Sequence, residues 1–292
     1  MVTSLHALEL YIIACKRKRL ADLSISTYTV RLNALLASAP PDLAAVSLDH
    51  IETWLDTRGL CPSSLRNYLV VIGTFFSWCV IRGLLAASPI PHGYQLPRAR
   101  PRVRASLSLD ELTRLLNYVR DNTYIAHRNH AMWNLIGLSG LRVSECAALR
   151  VGDVTENGLL VRHAKGDKQR VVPLPPRARA VLAAYMPYLH SVYLRKPYPD
   201  DLLFPNPHSR KPLRRRGLAL QFRRDILSVD IHGAYTIHSL RHTYATLLVR
   251  AGVGLPILQE LLGHSHIQTT MIYLHISAAD TAAAADKHPL AN

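Results

Sequence analysis

The sequence predicts a mainly α-helical chain in two parts, an N-terminal helical bundle followed by a mixed α+β domain with a small β-hairpin. Three observations predict it. Apolar residues recur at helical spacing through the first part of the chain, with no β-prone run among them. A stretch rich in proline and arginine then breaks the pattern. Beyond it, two β-prone runs flank a tight Lys-Gly-Asp-Lys segment between otherwise helical patterns.

The first helix is expected over about Leu5 to Arg19, and a second from Ser24–Ser26 to about Ser38, stopped by Pro40-Pro41. A third is capped near Ser47, carries Asp49 and Glu52 in its first turns and ends at Gly59. A fourth begins near Pro62-Ser63-Ser64 and runs to about Gly83. Its most apolar part, Leu69 to Ile81, is bounded by Arg66 and Arg82 and reads as a buried helix too short to span a bilayer.

Residues 1–88 therefore form the first domain. Residues 88–104 hold four prolines, a glycine and four arginines, so 89–104 reads as a basic linker whose Arg100 and Arg102 are suited to a phosphate backbone. The second domain, 105–292, opens with Ser108-Leu109-Asp110-Glu111, a helix start with its carboxylates in the first turn. Helical patterns continue to about Leu149. The hairpin spans Gly158 to Leu174, helix resumes after Pro176, and a loop rich in Pro, Arg and Lys occupies 195–216 before the last helices.

Charge narrows the function. Lys and Arg total 35 against 20 Asp and Glu, for a formal net charge of +15 and a pI near 10.0. Such a chain is drawn to polyanions, nucleic acid first and acidic membrane surfaces second. The scattered Cys15, Cys61, Cys79 and Cys146 form no CxxC pair and fit reduced thiols of a cytoplasmic protein. Glu9 and the run Lys16-Arg17-Lys18-Arg19 interrupt any leader-like apolar stretch.

Breaking a phosphodiester requires a nucleophile, cationic donors for the non-bridging oxygens and an acid for the leaving oxygen. No clear carboxylate cluster for divalent metals stands out, so the chemistry expected here needs neither metal nor other cofactor. The second domain offers the alternative set. Arg142 lies in Gly140-Leu-Arg-Val-Ser-Glu145, with Glu145 one helical turn on, and a guanidinium fork matches a phosphate. Lys165 sits at the hairpin tip, where an ammonium can reach a groove. His238 and Arg241 are three apart, on one face of a helix. His264 follows Gly263, which stops a helix and redirects the next side chain. His264 and His266 lack the companions of a zinc site. Tyr273 comes nine residues after His264 and is one of thirteen tyrosines. Each feature alone has an ordinary reading, such as a helix ion pair, a surface lysine or a core histidine. Their order along the chain does not.

Taken together these residues resemble the tyrosine recombinase (phage integrase) family, whose pattern is G-L-R-x-x-E, a hairpin Lys, H-x-x-R, G-H and a Tyr about nine residues later. The chain has Ala164 where glycine is commoner. From His238 to His275 it also resembles the bacterial Xer-type members. The first part, notably Ser63-Ser64-Leu65-Arg66 and Phe75-Phe76-Ser77-Trp78, is similar to the family's SAM-like core-binding domain.

The resemblance implies a site-specific recombinase that cuts and rejoins double-stranded DNA through a 3′-phosphotyrosine. Tyr273 would be the nucleophile. Arg142, Arg241 and His264 would hold the phosphate, with Lys165 as acid, His238 as base and Glu145 in support. It also implies a homotetramer on synapsed DNA, or one shared with a paralogue, with a docking tail at 278–292 and a cytoplasmic, nucleoid-associated location, and no role at a membrane. Both domains would clamp the duplex, with Arg31, Arg66 and Asn67 in the first and Arg210, Lys211, Arg214, Arg215 and Arg216 in the second. The chain starts directly at the core-binding domain, which leaves no room for a further arm-binding domain, and no insertion typical of integron integrases is recognisable. Two other readings share these features: a type IB topoisomerase, and a DNA-binding regulator that does not cleave. Resolution, integration and chromosome-dimer resolution all remain open as the role.

Overall fold

The structure, a computed structural model, describes residues 2–97, 105–162, 169–264 and 267–273. The chain divides into two compact units, Met1–Arg102 and Val103–Asn292.

The first unit is built on four helices: α1 (Ser4–Arg17), α2 (Asp22–Leu36), α3 (Leu48–Asp56) and α4 (Pro62–Ile81). Helix α3 starts at Ser47, whose hydroxyl accepts from the His50 N–H while the His50 ring accepts from the Ser47 N–H. The reciprocal cap uses an imidazole where a carboxylate is more usual. Helix α2 stops at Leu36, before Pro40-Pro41 is reached.

Leu69, Ile72, Phe75, Phe76 and Cys79 of α4 are buried with Ala7, Leu8 and Tyr11 of α1 and Leu32 and Leu35 of α2. Tyr11 meets the edge of Phe75 at 5.4 Å between ring centres. Helix α4 has 20 residues and is long and apolar enough by length and composition to cross a membrane. Its length therefore does not exclude a span, contrary to the reading from Leu69–Ile81. The packing of its aromatic face into this core is what marks it as a core helix.

The solvated linker expected from residue 89 is anchored further than composition indicates. Ile90, Tyr94 and Leu96 pack against the first core, and the Tyr94 hydroxyl donates to Glu52 Oε1 at 2.7 Å. The prolines deny this stretch a helix, and its interleaved apolar side chains still gain from burial. Arg100 and Arg102 lie outside the described residues.

The second unit opens with α5 (Leu109–Asn117). Ser108 caps it, accepting from the Glu111 N–H while Glu111 accepts from the Ser108 N–H. Helix α6 (Tyr124–Ser139) is buried along most of its length and ends at Gly140 in the left-handed region, φ 65°. Helices α8 (Pro176–Tyr193), α9 (Arg215–Ser228) and α10 (Ile237–Arg250) contribute to the same core. Inside it, the Trp133 indole N–H donates to the buried Asp225 carboxylate at 2.9 Å. Short α7 (Val143–Ala148), α11 (Leu255–Leu262) and α12 (Gln268–Met271) complete the helices described.

The sheet has three antiparallel strands in the order β1 (Val154–Thr155), β2 (Gly158–Val161), β3 (Arg170–Val172). The hairpin is therefore extended by a two-residue strand that the sequence reading did not assign. Leu159 faces Val172 and Val161 faces Arg170 across the ladder. The hairpin tip, including Lys165, lies outside the described residues, as does the segment 278–292.

Replacing Ser108 with alanine removes one side of the α5 cap. The second unit should lose about 1 kcal/mol of stability, read as a lower denaturant midpoint in Ser108→Ala. An unchanged midpoint would show that the cap contributes nothing.

Candidate active site

Three guanidinium groups converge on one carboxylate. Arg142 is not inside a helix, as its spacing to Glu145 suggested. It occupies the position just before α7, and Glu145 reaches back to accept its backbone N–H at 2.8 Å. The Arg142 Nη1 donates to Glu145 Oε1 at 2.7 Å, and Nη2 to the Gly263 carbonyl at 3.1 Å. Arg170, from β3, approaches from the other side and donates to both carboxylate oxygens at 3.0 Å. Arg241 Nη1 lies 4.0 Å from Glu145 Oε2.

Burial alone would raise the Glu145 carboxyl, but hydrogen bonds and charge from Arg170 and Arg142 hold it below its usual value. It is therefore an anion at neutral pH, with a side chain only 4% exposed. Arg142 keeps 28% of its side chain exposed and is the guanidinium of the three best placed to meet an incoming group.

Arg241 is the fifth residue of α10, at the start of its second turn, and is fully enclosed, at 1% exposure. Its Nη1 donates to the Gly140 carbonyl and its Nη2 to the Leu262 carbonyl, both at 2.6 Å. These carbonyls belong to the C-terminal ends of α6 and α11, where the helix dipole is negative. Burial first, and the nearby Arg142 second, pull the Arg241 guanidinium down to about 10, so it remains charged at neutral pH.

Gly263 ends α11 with φ 61°, as the Gly-His pair predicts. It also has a steric reason to be glycine, since a Cβ there would come within 2.8 Å of the Arg170 guanidinium. The chain turn it makes brings His264 to Arg241, whose Nη2 lies 3.0 Å from His264 Nε2. His264 Nδ1 lies 3.0 Å from the Thr270 hydroxyl. Burial, then the charges of Arg241, Arg142, Arg170 and His238, push the His264 imidazole down to about 4. The ring is neutral at pH 7.

Tyr273 is buried at 4% exposure among Ala245, Leu258 and Leu262. Its ring lies parallel to that of His264 at 6.5 Å and tilted against that of His242 at 5.0 Å. Tyr273 and Arg241 are also close enough to interact electrostatically. His238, in the first turn of α10, is exposed and within electrostatic range of His264.

Of the residues singled out from sequence, Arg142, Glu145, Arg241, His264 and Tyr273 thus come together in one subunit. His238 lies at the edge, and Lys165 is outside the described residues. Arg170, Thr270 and His242 were missed. For Arg170 the sequence carries only half of the signal: period-two alternation puts it on the same side as Val172, and the burial of Val172 in the structure turns that side inward. Among the described residues no three His, Cys, Asp or Glu side chains gather as metal ligands.

The proposed DNA contacts fall into two groups. In the first unit Arg31 donates to the Asn67 carbonyl at 3.2 Å and stacks over the Tyr68 ring, beside exposed Arg66. In the second, Arg210, Lys211, Arg214, Arg215 and Arg216 are all exposed, and the last three crowd the start of α9.

Comparison with known proteins agrees with this geometry. The pattern of the phage integrase family matches residues 105–280. Tyrosine recombinase XerD of Oceanobacillus iheyensis is 33% identical over 226 residues, covering 77% of this chain and 75% of that protein. Tyrosine recombinase XerC of Mycobacterium bovis is 31% identical over 269 residues, 89% of each. Among solved structures, XerH site-specific recombinase bound to difH substrate in a pre-cleavage complex superposes with a TM-score of 0.70 at 25% identity, over 91% of this chain and 79% of that one. The Tn1549 transposon integrase in complex with transposon right end DNA gives 0.78 at 18% identity, over 98% and 99%, a likeness of fold. The chain belongs to the phage integrase family, as a tyrosine recombinase of the Xer-like type.

Two expectations follow. Arg170→Ala leaves a buried carboxylate short of two charge-assisted hydrogen bonds and should cost about 3 kcal/mol, measured by chemical denaturation. A loss within error of zero would mean that Arg142 alone satisfies Glu145. The second concerns pH. The folded His264 binds its proton more weakly than the unfolded ring, so the unfolded state takes up more protons between about 4 and the ordinary value of 6.5. The stability gained from the neutral ring is complete above 6.5 and falls as the pH drops toward 4. The melting temperature should decline over that window, and His264→Gln should decline less steeply. Parallel curves would contradict this.

Proposed function

We propose that Tyr273 is the residue through which this recombinase breaks and rejoins double-stranded DNA. The phenolic oxygen attacks the scissile phosphorus, the bond to the 5′ oxygen breaks, and a 3′-phosphotyrosine forms. The freed 5′ hydroxyl of a partner strand then reverses the step on a second duplex. Because the phosphodiester is stored as a phosphotyrosine, the exchange needs no external energy source.

The observation that carries this reading is the burial of Tyr273 beside His264, itself bonded to Arg241, within one subunit. It favours attack in the subunit's own site. Arg142 and Arg241 supply the forks for the non-bridging oxygens. Glu145 orients Arg142. His264 donates to an oxygen once its ring gains a second proton, an uptake that the arriving phosphate charge promotes. Lys165 protonates the leaving 5′ oxygen and His238 accepts the tyrosine proton.

Both units contact the duplex, and Arg31, Arg66, Asn67, Arg100, Arg102, Arg210 and Lys211 are the proposed contacts with Arg214, Arg215 and Arg216. The last three support the reading most directly. Arginines at a helix N-terminus oppose the dipole, and a phosphate there offsets both. The working assembly is a homotetramer on two synapsed sites, in which residues 278–292 dock on a neighbouring subunit. The enzyme works in the cytoplasm, at the nucleoid.

The test is a covalent adduct. The protein is incubated with fragmented genomic DNA of its source, denatured, and the attached DNA is sequenced. Wild type should yield an adduct enriched in one sequence, and Tyr273→Phe none. Arg142→Ala should form it ~10²–10³ times more slowly with DNA binding retained. An adduct in Tyr273→Phe at the wild-type level would remove the assignment. Relaxation of supercoiled plasmids lacking the captured sequence would instead point to topoisomerase behaviour.

A further inference from the structure

We propose that Thr270 is a positioning residue. Its hydroxyl oxygen accepts the Nδ1–H of His264, which turns the Nε2 edge of that ring toward Arg241 and ties the ring to the segment that carries Tyr273. The proposal rests on the reading that His264 and Tyr273 serve strand cleavage, and its first measurement does not depend on that reading.

The argument begins with a guanidinium, which has donors and no acceptor. Arg241 Nη2 lies 3.0 Å from His264 Nε2, so that nitrogen must offer its lone pair. The single proton of the neutral ring is then on Nδ1, and the atom 3.0 Å away is Thr270 Oγ1. Thr270 is completely buried. Its carbonyl accepts the Tyr273 N–H at 3.1 Å, so one residue touches both the imidazole and the backbone of the tyrosine.

The rest of His264 is held as firmly. Its N–H donates to the Gln259 carbonyl at 3.1 Å, and its carbonyl accepts from Gln259 Nε2 at 2.9 Å. With the backbone fixed, the ring can still turn over, and the Thr270 hydroxyl opposes this. A flipped ring, or the other tautomer in place, would aim an N–H at the Arg241 fork or leave Nδ1 without its partner in a buried site, an unfavourable arrangement either way. The same acceptor serves both charge states. Whether or not Nε2 gains a proton to meet a phosphate oxygen, Nδ1–H stays on Thr270 and the ring need not rotate.

The inference separates Thr270 from an ordinary core threonine. A threonine kept for packing alone can be exchanged for valine, which has the same shape and lacks the acceptor. A threonine kept for its oxygen can be exchanged for serine.

The full chain is labelled with ¹⁵N-histidine, free of DNA, and His264 is identified by its loss in His264→Gln. Wild type and Thr270→Ser should show a hydrogen-bonded Nδ1–H, downfield and slow to exchange with water, and Thr270→Val should lose that shift and that protection. A valine variant whose Nδ1–H keeps the wild-type shift and exchange rate overturns the proposal. Single-turnover adduct formation is then followed on a duplex of the sequence captured by the wild-type protein. Thr270→Val should be slower by about tenfold, the equivalent of one hydrogen bond, with duplex affinity and melting temperature near wild type. Thr270→Ser should recover most of the rate. Equal rates in all three overturn the positioning role. If wild type itself forms no adduct, the strand-cleavage role of Tyr273 fails, and the Nδ1–H result still decides what Thr270 does to His264.

Discussion

The site depends on a carboxylate that has been taken out of water. Glu145 is almost fully enclosed and accepts four hydrogen bonds, two from Arg170, one from the Arg142 side chain and one from the Arg142 backbone. Removing an anion from water costs several kcal/mol, and only good geometry with its partners repays it. The repayment here is structural: the carboxylate fixes the start of α7, the inner end of β3 and the fork of Arg142 relative to one another. Arg142, Arg170 and Arg241 carry three positive charges against the one negative charge of Glu145, so these four side chains are net positive. A cluster with that excess favours any anion that approaches Arg142, and its donors are already oriented before the anion arrives. Preorganised charge of this kind is how an enzyme stabilises a phosphorane-like transition state without rearranging solvent.

Holding like charges together needs further compensation, and helix ends supply it. Gly140 and Gly263 terminate α6 and α11 in the left-handed region. The carbonyls near those two ends, of Gly140, Leu262 and Gly263, are taken by Arg241 and Arg142. A helix that stops on a left-handed glycine leaves its last carbonyls pointing outward, with the negative end of the dipole behind them. The same glycines allow close approach. A Cβ at Gly140 would meet the Tyr244 ring at 2.5 Å, and one at Gly263 would meet Arg170. The two glycines in the Gly-Leu-Arg and Gly-His pairs therefore do two things at once: they end helices, and they make room.

Much of this was legible from residue order. Ser108 and Glu111 announce their cap, Gly263 announces the end of α11, and the sequence from Gly140 to Tyr273 selects a family before any coordinate is known. What stayed hidden depends on parity, packing or distance along the chain. Arg170 precedes two valines, so alternation alone does not say which valine faces inward, and the burial of Val172 decides that Arg170 does too. Thr270 looks like half of a Thr-Thr pair. Only the fold shows that its hydroxyl, and not that of Thr269, meets His264. Residues 90–96 read as a linker by their prolines, while Ile90, Tyr94 and Leu96 are spaced by no regular period and reveal their burial only in the packed domain. The nearer of the two imidazoles beside the tyrosine ring belongs to His242, four residues beyond the histidine of the H-x-x-R motif, because His238 in the first turn of α10 is exposed while His242, one turn further along, is buried in the core.

The segment that bears Tyr273 is built differently from the longer helices described around it. Helix α12 has four residues, too few to be stable by its own hydrogen bonds. Its own Met271 and the flanking Ile267 and Ile272 are 52%, 41% and 52% exposed, so they contribute little burial within the subunit. Two side chains turn inward, Thr270 and Tyr273. The position of the tyrosine is thus set by its own ring packing on Ala245, Leu258 and Leu262 and by a hydroxyl bonded to the imidazole next to it. Thr270 thus joins the imidazole to the segment that carries Tyr273, while Arg142 and Arg241 are anchored separately, through Glu145 and the carbonyls at two helix ends.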